Sequence, residues 1–151
     1  MTLDLILRDA EPYILDEASA ALQRSPGTHY GTAGEQPTRQ RLNDLFDLVV
    51  AAVRDRDLTA VVAYSERVAT ERFSSGFDIL EVQTAFNALE EAMWRRVVAA
   101  EPPLELAEAI GLLSTVLGAG KDALARTYVS LASRQHVPSL DLSALFRGTN
   151  S

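Results

Sequence analysis

Apolar residues recur along this chain every three or four positions, and no stretch alternates cleanly in the way of a half-buried strand. The pattern predicts an all-α bundle of about five helices, closed by a long C-terminal one. The first segment runs from about Thr2 to Leu22, with Leu3, Leu7, Ala10, Ile14, Ala18 and Ala21 on one stripe. Pro12 interrupts it; lacking an amide proton and crowding the preceding turn, it predicts a kink or a fresh start. Thr38 is expected to cap a helix to about Arg56 that carries Leu42, Leu45, Phe46, Val49 and Val53. Asp57 then caps a third, with Leu58, Val61, Val62, Val68, Ala69 and Phe73. A fourth, Ile79 to Ala100, turns Val82, Phe86, Leu89, Met93 and Val97 to one side. Pro102 and Pro103 end that pattern and open the fifth, about Leu104 to Gln135, since proline is tolerated in a first helical turn.

The fifth helix carries two apolar stripes. Leu106, Ile110, Leu113, Leu117, Leu124, Tyr128 and Leu131 make one, and Ala109, Leu112, Val116, Ala119 and Ala123 make a second beside it. Two stripes need two packing surfaces, and small residues alternating with aliphatic ones suit the close approach of another helix. Leu112, Val116, Ala119 and Ala123 are therefore expected at a two-fold interface in a homodimer that pairs through the fourth or fifth helix.

Between these elements lie two connections of different kinds. The segment SPGTHYGTAGEQP, residues 25–37, has three glycines and two prolines and reads as a long loop. FSSGFDIL, residues 73–80, has a lone glycine. Gly76 stands where a helix-ending residue must turn left-handed, and Asp78 with Glu81 forms an Asp-x-x-Glu cap for the next helix. A phosphate-cradling loop needs several glycines and usually a preceding strand, so this stretch is a joint. Residues 1–137 form the expected helical domain, and 138–151 a tail with a short amphipathic turn around Leu142, Leu145 and Phe146.

Composition narrows the chemistry. With 151 residues the chain has single-domain length, and no apolar run reaches a membrane span. The N-terminus lacks the basic region and cleavage site of a signal peptide. There is no cysteine, hence no disulfide and no thiolate chemistry, which suits a reducing, cytoplasmic setting. Net charge is −7, and Arg39/Arg41, Arg54/Arg56 and Arg95/Arg96 are interleaved with acids, so neither nucleic acid nor membrane is an expected partner.

No catalytic constellation emerges. GAGK at 118–121 has Thr115 and Asp122 where a phosphate loop needs glycine and Ser/Thr, and it lies in a helix. Gly111, Gly118 and Gly120 read as packing or kink positions. His29 and His136 have no partner at metal-ligand spacing, so neither metal nor haem is expected. Glu90 and Glu91, adjacent on a helix, point apart, and Ser74 and Ser75 have no neighbouring histidine to activate them.

RFSSGFDILEVQTAFNALEEAMWRR, residues 72–96, resembles the N-terminal regulatory domain of the RsbT co-antagonist (RsbRD) type, through Arg72, Gly76, Phe77, Glu81, Val82, Leu89 and Trp94. The resemblance extends loosely over residues 2–135. It implies an all-α, globin-like or bundle-like domain, usually dimeric and without enzyme activity of its own, that feeds an output module in stress signalling. This sequence stops at residue 151 without such a module, so the resemblance implies a signalling partner in trans, or a fragment. Two functions follow: a dimeric interaction module, and a sensor holding a small molecule or lipid between its helices.

Overall fold

The computed structural model describes residues 2–24, 35–100 and 103–136. Six helices account for nearly all of them: α1 (Leu3–Asp9), α2 (Glu11–Gln23), α3 (Glu35–Asp55), α4 (Thr59–Ser74), α5 (Ile79–Ala100) and α6 (Pro103–His136). No strand occurs among the described residues, and the chain is an all-α bundle. The count exceeds the expected five because the N-terminal segment divides at Ala10. Pro12 sits in the first turn of α2, where its missing amide proton costs no hydrogen bond, so the chain makes a fresh start there.

Two boundary expectations are corrected. Thr38 is no N-cap: α3 begins at Glu35, inside the expected loop, and Thr38 is fully buried. Its hydroxyl accepts a 3.5 Å contact from Gln23 Nε2 of α2, so burial against a neighbouring helix has replaced solvent at that position. Residues 25–34, with His29, and the tail from 137 lie outside the described residues. Asp57 is not the N-cap of α4 either: Leu58 holds that position without a side-chain cap bond, and the Asp57 carboxylate instead accepts from the Thr59 amide in a short turn at 3.0 Å, which lowers its pKa below the ordinary carboxylate value.

The core runs through the whole bundle. Leu7, Ile14, Phe46, Val49, Val61, Leu89, Met93, Leu117 and Leu124 are buried, joining all six helices. α6 packs against α4, α5 and α3 of its own chain. At 34 residues it is about 51 Å long, at 1.5 Å per residue. Its two apolar stripes merge into one broad buried face because three helices, and not one, lie against it.

Candidate functional site

The joint between α4 and α5 is built by local hydrogen bonding. Gly76 has φ of 84°, the left-handed conformation that a β-carbon disfavours. The Phe77 amide donates to the Arg72 carbonyl at 2.9 Å and the Gly76 amide to the Phe73 carbonyl at 3.2 Å, the paired bonds of a Schellman ending. The Arg72 guanidinium carbon lies 5.5 Å from the centre of the Phe77 ring, covering the turn. Beyond it the Leu80 amide donates to Asp78 Oδ1 at 2.7 Å, and the Asp78 amide donates to Glu81 Oε1 at 3.2 Å. That reciprocal pair is the expected capping box.

Sequence reading missed the anchor of this joint. The Tyr128 hydroxyl of α6 donates to the Phe77 carbonyl at 3.0 Å, and its ring meets Phe73 edge-on at 5.6 Å. The joint is thereby fixed to the long helix. Ser74 and Ser75 are exposed beside it.

From the joint, α5 presents a second face that sequence reading also passed over. Leu80, Thr84, Asn87, Glu91, Trp94 and Val98 follow one another at alternating spacings of four and three, opposite the core stripe. Leu80 is 67% exposed, Trp94 41% and Val98 43%. These are three of six exposed large apolar side chains among the described residues, gathered on one helix face. The Thr84 hydroxyl donates to the Leu80 carbonyl at 2.7 Å, so it brings no unsatisfied donor to the surface. The alternating spacing was available in the sequence; its exposure was not.

A groove of about 360 Å³ runs between this face and α6, lined by Asn87, Glu90, Glu91, Trp94, Ile110, Leu113 and Ser114. Polar groups close its far end. Lys121 Nζ donates to Glu90 Oε1 at 2.7 Å and to Asn87 Oδ1 at 3.0 Å, linking α6 to α5. Both members of the ion pair are half-buried. Glu91 turns the other way and accepts from Arg95 at 2.6 Å, so the two adjacent glutamates do diverge. The lysine of GAGK is thus an interhelical tie.

The expected interface residues on α6 fall on two sides of the protein surface. Ala109, Val116 and Ala123 are buried within this chain, Val116 to 1% exposure and Ala123 to 2%. Leu112 and Ala119 are half-buried at the edge of the core. The three glycines also separate. A β-carbon on Gly120 would meet Phe86, Ser65 and Val61 at 3.0–3.1 Å, so this glycine permits close packing of α6 on α4 and α5. A β-carbon on Gly111 or Gly118 would meet nothing within 4 Å. His136 is the last residue of α6.

No helix among the described residues is long and apolar enough to cross a membrane. The family described as RsbT co-antagonist protein rsbRD N-terminal domain matches this chain over residues 12–137. No curated protein and no solved structure matches it.

Proposed function

This chain belongs to the RsbT co-antagonist protein rsbRD N-terminal domain family, and from that premise we propose that it acts without catalysis, as a homodimeric cytoplasmic module that relays a stress signal to a partner protein in trans. The family places it among stress-signalling regulatory domains; the pairing and the partner are our reading. The observation that carries the reading is the outward face of α5, where Leu80, Trp94 and Val98 stand exposed beside the groove shared with α6.

Taking such a side chain from full exposure to full burial is worth about 1.5–3 kcal/mol, and these three, at 41–67% exposure, keep roughly half of that to gain. Tryptophan also dominates the energetics of protein interfaces wherever it is desolvated. Two-fold pairing covers such a face with itself, which needs no second kind of surface. Leu112 and Ala119 lie on the flank of α6 away from Ile110 and Ser114, so this pairing does not draw on them.

Light scattering of the purified chain should give about twice its 16.4 kDa mass at micromolar concentration. Trp94→Glu should give a folded monomer, since Trp94 lies outside the core. A monomeric unmodified chain would refute the pairing.

A further inference from the structure

The α5 stripe is complementary to itself in one direction. Resting on the paired reading above, we infer that α5 packs antiparallel on the α5 of a second copy, in a register centred on contacts between Asn87 of each copy and Glu91 of the other. The alternating four and three spacing is the geometry of helices crossing at a shallow angle. Laid antiparallel about that centre, Leu80 of one copy meets Val98 of the other, and Thr84 meets Trp94. All three layers then close together: apolar at the ends, aromatic against a methyl-bearing side chain next, polar in the middle. The stripe spans about 27 Å from Leu80 to Val98, at 1.5 Å per residue.

The orientation of Asn87 supplies the reason for that middle layer. Lys121 has only donors to offer, so the atom it holds at 3.0 Å is the amide oxygen. The amide nitrogen of this exposed residue has two hydrogens to donate. Glu91, one turn along and also exposed, keeps acceptor capacity beyond its bond to Arg95. An antiparallel copy brings these groups together twice by symmetry, as charge-assisted hydrogen bonds. A parallel copy would instead stack Asn87 on Asn87 and place the two Glu91 carboxylates together. A polar layer amid apolar ones selects a single register, because every slipped pairing strands donors and a carboxylate against apolar groups.

The cysteine-free sequence permits a direct test. Two single-cysteine chains, Asn87→Cys and Glu91→Cys, are mixed in equal amounts and oxidised gently with diamide. The inference expects the mixed 87–91 disulfide to exceed both self-linked products severalfold. In that register two copies of position 87 lie about 6 Å apart along the helices before their lateral separation is added, beyond comfortable disulfide reach. Independently, Asn87→Asp should weaken dimerisation at least about tenfold by facing two carboxylates, and adding Glu91→Gln should restore it. Self-linked products in excess, no cross-linking in a protein that scatters as a dimer, or Asn87→Asp pairing as well as the parent would overturn the register and leave the dimer standing. A parent chain that scatters as a monomer would overturn the dimer itself.

Discussion

Replacing Gly120 by alanine probes how closely α6 is held to its neighbours. The added β-carbon would stand 3.0 Å from Phe86 Cε2, 3.0 Å from Ser65 Oγ and 3.1 Å from Val61 Cγ1. Carbon atoms pack best at about 3.5–4.0 Å, so several tenths of an ångström must be found. All three neighbours are buried, in α4 and α5, and have little room to yield. Overpacking of this kind costs about 1–3 kcal/mol. Against it, alanine recovers glycine's helix penalty of about 1 kcal/mol. The net expectation is a loss of about 0–2 kcal/mol. At Gly118 the β-carbon meets nothing within 4 Å, so only the helix term acts and alanine should stabilise by up to about 1 kcal/mol.

The contrast between the two variants is therefore about 1–3 kcal/mol, for one substitution made twice on one helix. In a chain of this size that corresponds to roughly 2–12 °C in Tm. Thermal unfolding followed by far-ultraviolet circular dichroism measures it, at one fixed protein concentration because a dimer's melting point depends on concentration. A Gly120→Ala protein that melts as high as Gly118→Ala would refute the claim that Gly120 is needed for close approach.

Two further substitutions test the joint. Gly76→Val should destabilise by about 1–2 kcal/mol, since a β-branched residue is strained at φ of 84° even though the space around the glycine is open; Gly76→Asn should lose less, and equal denaturation midpoints for all three proteins would refute the conformational account. Tyr128→Phe should lose about 0.5–1.5 kcal/mol by removing the bond to the Phe77 carbonyl, with faster amide exchange at the joint, and unchanged exchange there would show that α6 does not hold it.

The helices and the joint were legible in the sequence because their causes are local. A left-handed glycine, a carboxylate two residues before a free amide, and a three-to-four apolar period act within one or two turns, so Gly76, Asp78 and Glu81 could be placed by inspection. The tertiary structure decided what each helix face meets. Val116 and Ala123 looked available to a second copy, yet three helices of the same chain cover that side of α6. Gly111, Gly118 and Gly120 are alike in sequence, and only the approach of Phe86, Ser65 and Val61 singles out one of them. Trp94 stands outside the core for the same reason: the neighbouring helices, α2 and α6 foremost, cover the other faces of α5 and leave the one bearing Trp94 exposed. Periodicity says that a face is apolar. Which neighbour covers it depends on contacts between residues far apart in the chain, and those arise only when the helices pack.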